Sequence, residues 1–179
     1  MNLPNLITLI RILLVPFIIW LIISDQFLAA FAFFILAGVS DGADGYIAKH
    51  FQLATELGAY LDPIADKLLL VSIYLSLGLM HHLPAWLVIL VATRDGLIIG
   101  AVLLARVLDK PVTVRPLMIS KVNTTGQICL AGFVLGSMGL NLAAENWLMA
   151  GYLIVAGLTI ASGLAYLRDW ATHMTGANP

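Results

Sequence analysis

The sequence predicts an all-α integral membrane protein with six transmembrane helices, organised as a single domain over residues 1–179. Three observations support this class. Of the 179 residues 61% are hydrophobic and only 11% are charged, and the mean hydropathy is +0.99. Soluble domains carry about 25% charged residues, so this balance is typical of a chain that lies in a bilayer. The third observation is that the apolar residues fall into six stretches, each near the length of about 20 residues that a spanning helix needs.

The six predicted spans follow one another with short polar connections between them. They cover roughly Leu6–Ile23, Phe27–Lys49, Leu57–Met80, Pro84–Leu108, Ile119–Leu140 and Trp147–Tyr166. Glycines recur on the last two spans, which indicates close helix packing there: Gly126, Gly132, Gly136, Gly139, Gly151 and Gly157. The single cysteine, Cys129, excludes an intrachain disulfide and a cysteine metal cluster, and its apolar surroundings predict a buried thiol.

The distribution of Lys and Arg predicts the orientation of the spans. The connection after span 2 begins at Lys49, the one after span 4 is basic, and Arg168 lies in the C-terminal tail. The other three connections contain neither Lys nor Arg. By the positive-inside rule both termini are expected to be cytoplasmic. The expected location is a bacterial-type inner membrane. No basic run with interleaved aromatic residues is present, so a nucleic-acid partner is not expected.

Four aspartates interrupt spans 2 and 3. Asp41 and Asp44 are three residues apart and share a helix face, and Asp62 and Asp66 are four apart on the next helix. A carboxylate at membrane depth is costly and needs a partner or a task. Carboxylate oxygens are ligands that Mg²⁺ or Mn²⁺ prefers. Asp44 lies roughly 7–8 Å from the cytoplasmic end of its span at 1.5 Å per residue, so a site between helices 2 and 3 near that face is predicted.

The spacing of these residues resembles the signature of the CDP-alcohol phosphotransferase family. The matching positions are Asp41, Asp44, Gly45, Ala48, Gly58, Asp62 and Asp66, and Lys49 stands where the family usually has Arg. The resemblance implies transfer of a phosphatidyl group from CDP-diacylglycerol to an alcohol, with release of CMP. It implies metal ligation by Asp41, Asp44, Asp62 and Asp66, with two ions of Mg²⁺ or Mn²⁺ expected, and Asp66 as the general base. Homodimerisation is implied as well.

The resemblance also suggests how the two substrates are bound. For the CDP-lipid it implies Gly45, Ala48, Lys49 and Gly58, together with Asn5 and Thr8 of an N-terminal segment that includes Arg11. The runs Thr93–Asp95 and Ile119–Thr124 are similar to the branch that makes phosphatidylglycerol phosphate and cardiolipin, and most similar to the cardiolipin synthases of mitochondrial type. The expected acceptor is therefore phosphatidylglycerol, with glycerol 3-phosphate as the alternative.

Both acceptors carry a phosphate, for which cationic side chains are needed. The candidates are Arg94, Arg115 and Lys121. Arg94 lies mid-span beside Asp95, so a structural pair is the alternative to a substrate contact.

Functions of other classes fit the aspartates less well. A divalent cation transporter would need polar residues that continue across the membrane, and the acidic residues cluster near one face. An intramembrane aspartyl protease would need a Gly-x-Gly-Asp run, which the sequence lacks. A helical scaffold would leave the intramembrane carboxylates without a purpose.

Overall fold

The computed structural model describes the backbone of residues 3–50, 56–107 and 117–175, and the side chains of residues 8–40, 65–100 and 117–172. Within these ranges the chain forms helices and no strands, which confirms the predicted all-α class. The helices are α1 (Leu3–Ile23), α2 (Phe27–His50), α3 (Glu56–Leu79), α4 (Ala85–Val107), α5 (Met118–Gly139) and α6 (Glu145–Thr175).

The predicted ends of the spans lie close to those of the helices, with one exception. Helix α6 continues to Thr175, nine residues beyond the predicted end at Tyr166. The extra turns contain exposed Arg168 and Asp169, so a count of apolar residues stops before the helix does. Helix α4 begins at Ala85, and the carbonyl of Pro84 accepts bonds from the amides that follow it by three and four residues.

The surface of the described residues is apolar on every helix. Large side chains that face outwards include Leu13, Val39, Leu79, Ile89, Met118 and Leu153, each more than 60% exposed. Hydroxyl groups are often satisfied inside their own helix: Ser40, Ser76 and Thr124 each donate to the carbonyl four residues earlier. Within the described residues, α6 over Glu145–Thr172 is long and apolar enough to cross a membrane, and shorter apolar helical segments cover Thr8–Ile23 and Phe27–Ser40.

Helices α1, α3 and α5 end in the same way. Each is followed by a residue in the left-handed region that is not glycine: Asp25 (φ 57°), His81 (φ 61°) and Asn141 (φ 52°). At the end of α1 the amide of Asp25 bonds to the Ile22 carbonyl at 3.1 Å, and the amide of Gln26 to that of Leu21 at 2.9 Å. The corresponding bonds recur after the other two helices, which gives three Schellman caps.

The described helices fall into two compact units, and unit 1 comprises residues 1–83 and 131–144. Here α1 packs against both α2 and α3. Phe17 of α1 meets Phe33 of α2 edge to face at 4.9 Å between ring centroids. The end of α5 lies against α2, because a Cβ added at Gly132 or Gly136 would lie 3.3 Å from Phe34 or Phe31 respectively. At Gly139 a Cβ would lie 2.7 Å from the backbone of Leu28.

Unit 2 comprises residues 84–130 and 145–179, and in it α4 packs against α6. A Cβ at Gly126 would lie 3.2 Å from Leu158, and one at Gly151 would lie 2.9 Å from Leu130. Close packing within the chain is thus confirmed at these glycines and those of unit 1. A Cβ added at Gly157 would have nothing within 4 Å, so close packing there stays a prediction for a contact between subunits, which the sequence leaves open. The burial expected for the Cys129 thiol is also wrong, because this face of α5 leaves it exposed.

Candidate functional site

Two helices of unit 1 carry the four aspartates, as the sequence predicts. Asp41 and Asp44 lie in α2, and Asp62 and Asp66 lie in α3. Each pair falls within one uninterrupted helix, so the spacing of three or four residues places its members on one face. The side chains of Asp41, Asp44 and Asp62 lie outside the described residues, and Asp66 is the member whose side chain is described.

Asp66 is held by a residue that the sequence analysis did not single out for chemistry. Its Oδ1 accepts a hydrogen bond from Nη1 of Arg11 at 2.7 Å, across the packing of α1 on α3. Arg11 is only 1% exposed, whereas half of the Asp66 side chain is exposed. The signal in the sequence was an arginine within an apolar span, which has to find an anion or reach the interface. Because the two residues are 55 positions apart, the sequence could not pair them.

The donor chemistry of the aspartates fits a hard divalent cation. Carboxylate oxygens are the ligands that Mg²⁺ takes, and the half-exposed Asp66 is accessible to an ion and its water. The described side chains include no group of three or more His, Cys, Asp or Glu that could hold a metal. The predicted set draws on three side chains beyond those described, so its assembly stays a prediction.

The residues predicted to bind the CDP-lipid also belong to unit 1. The backbones of Gly45, Ala48 and Lys49 lie in α2, that of Gly58 lies in α3, and that of Asn5 lies in α1. Their side-chain surroundings fall outside the described part of the chain. Thr8, with its side chain described, is 1% exposed and lies one turn before Arg11 on α1.

Arg94, the first acceptor candidate, joins three helices of unit 2. Its side chain is 6% exposed, and Nη1 donates to Asp95 at 2.8 Å. Nη2 donates to Ser162 of α6 at 2.6 Å and to Ser120 of α5, and Nε donates to Ser162 at 3.2 Å. The guanidinium carbon lies 5.6 Å from the centre of the Tyr166 ring, within cation–π range.

These bonds use four of the five N–H donors of Arg94. The structural pair with Asp95 is therefore present, and a substrate phosphate could gain more than one bond from Arg94 only in exchange for an existing partner. Ser162 and Tyr166 were not predicted, and Ser120 was named only as part of the run Ile119–Thr124. No local pattern shows which residues of α5 and α6 face Arg94.

The other two acceptor candidates are Lys121, whose side chain the structure describes, and Arg115. Lys121 is exposed on α5, directly after the Ser120 that Arg94 binds. Arg115 lies outside the described residues. A further polar contact follows on the same helix: Thr159 of α6 donates to Oδ1 of fully buried Asn123 at 2.9 Å.

Comparison with known proteins identifies the family of this chain. Residues 1–161 match the family model of the CDP-alcohol phosphatidyltransferases. A cardiolipin synthase (CMP-forming)/mitochondrial hydrolase fusion protein of Schizosaccharomyces pombe is 37% identical over 92% of this chain and 30% of its own length. The cardiolipin synthase (CMP-forming) of Homo sapiens is 34% identical over 92% of this chain and 60% of its own.

A bacterial relative matches over nearly its full length. The CDP-diacylglycerol–glycerol-3-phosphate 3-phosphatidyltransferase of Pseudomonas fluorescens is 34% identical over 97% of this chain and 92% of its own. The cardiolipin synthases are longer proteins, of which this chain spans between 30% and 60%.

Proposed function

Since the chain belongs to the CDP-alcohol phosphatidyltransferase family, we propose that it transfers the phosphatidyl group of CDP-diacylglycerol to an acceptor alcohol and releases CMP. The observation that carries this proposal is the four-aspartate pattern on α2 and α3, inside a family match that covers residues 1–161.

In the proposed reaction the acceptor hydroxyl oxygen attacks the phosphorus of the phosphatidyl group, and the bond from that phosphorus to CMP breaks. Asp66 takes the proton of the hydroxyl, because its half-exposed carboxylate is accessible to the acceptor. Asp41, Asp44, Asp62 and Asp66 would hold Mg²⁺ or Mn²⁺, with two ions expected. When bound, such ions neutralise the diphosphate and stabilise the charge that develops on its oxygens.

The CDP-lipid would bind over α2 and α3. Gly45, Ala48 and Gly58 lack bulky side chains, so a nucleotide can approach the backbone there. The ammonium group of Lys49 would offer the diphosphate a positive charge, but it lacks the two parallel N–H donors that an arginine would provide. Asn5 and Thr8 would contact the same ligand from α1. For the acceptor phosphate we propose Lys121 and Arg115, with Arg94 contributing through its remaining N–H or through an exchanged partner.

We place the protein in a membrane with six crossings, both termini in the cytoplasm and the site near that face. The outward apolar side chains on every described helix support this, because such surfaces are solvated by lipid rather than water. The orientation rests on the Lys and Arg distribution. A bacterial-type inner membrane and a homodimer stay parts of the proposal.

Phosphatidylglycerol is the first proposed acceptor, which would make the product cardiolipin. Of the three relatives described above, the fusion protein of Schizosaccharomyces pombe, named a cardiolipin synthase, has the highest sequence identity with this chain. Glycerol 3-phosphate is the second candidate, and a separate observation favours it: the Pseudomonas fluorescens enzyme named for that acceptor matches over 92% of its length.

The test is CMP release by the purified full-length protein with CDP-diacylglycerol and Mg²⁺, offered either phosphatidylglycerol or glycerol 3-phosphate. The acceptor that supports CMP formation identifies the product. Asp66→Asn should lose turnover, while Asp169→Asn, a matched change at an exposed carboxylate of α6, should keep it. Full turnover by the Asp66→Asn variant would refute the assigned base, and no CMP with either acceptor would refute the proposed function.

A further inference from the structure

The contact between Arg11 and Asp66 joins a buried cation to a carboxylate that stays accessible. Arg11 is 1% exposed and the Asp66 side chain 50% exposed, although their atoms Nη1 and Oδ1 lie only 2.7 Å apart. The Arg94–Asp95 pair of unit 2 is different, because both of its side chains are covered, at 6% and 7% exposure. Unlike that pair within α4, the contact between Arg11 and Asp66 joins two helices and leaves its carboxylate half-exposed.

The guanidinium of Arg11 can orient the carboxylate of Asp66 while leaving it accessible. Arginine presents its N–H donors in a rigid plane, so a charge-assisted bond from it fixes the orientation of a carboxylate as well as its location. The Arg11 side chain is itself immobilised by burial between packed helices. One oxygen of Asp66 is therefore directed towards α1, while half of the side chain surface remains open.

We propose that Arg11 is a positioning residue for the transfer reaction: it fixes Asp66 Oδ1 against α1, so that the remainder of the carboxylate is presented to the acceptor hydroxyl. This inference rests on the proposed function, in which Asp66 takes the hydroxyl proton. Arg11 touches no reacting atom in this role and acts through Asp66. Its effect should then fall on the chemical step rather than on binding of the CDP-lipid.

The test uses Arg11→Gln, Arg11→Lys and the wild type as full-length proteins, with kcat and KM for CDP-diacylglycerol measured per folded molecule. Loss of an outer-shell partner typically costs 10–100-fold in activity, so Arg11→Gln should lower kcat by roughly that factor with KM nearly unchanged. Arg11→Lys should lie between the two, because it keeps the charge without the planar fork. Leu21→Ala is the matched control, a truncation at another buried position of α1 that should alter stability but not kcat.

The coupling between Arg11 and Asp66 can also be measured by thermal unfolding, which does not depend on enzyme activity. Thermal unfolding of the wild type, Arg11→Gln, Asp66→Asn and the double variant forms a double-mutant cycle, which isolates the coupling between the two side chains. We expect a non-additive change in Tm. Additive Tm changes would mean that the pair is not formed, and would overturn the proposal.

The kinetic outcomes also separate the possible failures. A wild-type kcat in Arg11→Gln would overturn the positioning role while leaving the transferase function intact. A raised KM at constant kcat would overturn it too, since Arg11 would then bind the donor lipid directly. A wild-type protein that forms no CMP with either acceptor would instead overturn the proposed function, and with it the inference.

Discussion

Replacing Arg94 by methionine tests how far one guanidinium stabilises unit 2. Methionine has a similar length and no donors, so Arg94→Met removes the bonds to Asp95, Ser120 and Ser162 together. Asp95 is 7% exposed and would lose a cation at 2.8 Å, and Ser162, which is fully buried, would lose its donor. The variant therefore leaves a buried carboxylate that has lost the cation at 2.8 Å.

The expected loss can be estimated from pairs of this kind. Removing one partner of a buried ion pair costs about 3–5 kcal/mol, mainly because the remaining charge is desolvated. Replacing both partners is far less costly, so Arg94→Met combined with Asp95→Asn should recover at least about 1 kcal/mol of that loss. Arg168→Met, at an exposed arginine of the same unit, should stay within about 0.5 kcal/mol of the wild type.

The assay is denaturant unfolding of the purified protein in mixed micelles, followed by the circular dichroism of the helices. The quantity compared is the free energy of unfolding of the wild type, Arg94→Met, Arg168→Met and the double variant at Arg94 and Asp95. The reasoning is wrong if Arg94→Met is as stable as the wild type. It is equally wrong if the double variant is less stable than Arg94→Met, because the cost would then not come from the charge left on Asp95.

Three further predictions concern packing, a buried amide and the metal. Gly139→Ala should lower the free energy of unfolding by about 1–3 kcal/mol, because the added Cβ would lie 2.7 Å from the Leu28 backbone, whereas Gly157→Ala, with nothing within 4 Å, should raise it by up to about 1 kcal/mol in the same unfolding assay. Thr159→Val should cost about 1–3 kcal/mol, since the fully buried Asn123 loses the donor to its Oδ1, and a stability equal to the wild type would contradict this. Chelation with EDTA should abolish CMP release and added Mg²⁺ should restore it, so turnover that survives chelation would exclude the metal-dependent reaction.

The helices were predictable because stretches of apolar residues mark the length of each helix and glycines mark sites of close packing. The apolar pattern did not predict the C-terminal end of α6 or the exposure of Cys129. Helix α6 continues past Tyr166 because helix formation does not require apolar side chains. Cys129 was expected inside, but an apolar surface can equally face lipid.

The candidate site was predictable to the extent that it follows from positions along one helix. The aspartates of α2 and α3 share faces because of helical periodicity, which the sequence contains. The partner of Asp66 depends on how α1 packs against α3, and no local pattern determines that Arg11 arrives there. Arg94 could be paired with Asp95 because the two are neighbours in the sequence. Its bonds to α5 and α6 depend on how the helices pack, so they emerged only from the structure.

The three Schellman caps bear on how this chain assembles. Each cap closes through bonds between residues at most five positions apart, so it needs no distant partner and can form as soon as its own residues have been synthesised. The ends of α1, α3 and α5 are therefore determined locally. Contacts such as that between Arg11 and Asp66 must wait for a segment made 55 residues later. The contact between Arg11 and Asp66 therefore depends on the packing of α1 against α3, whereas each cap depends only on its own turn.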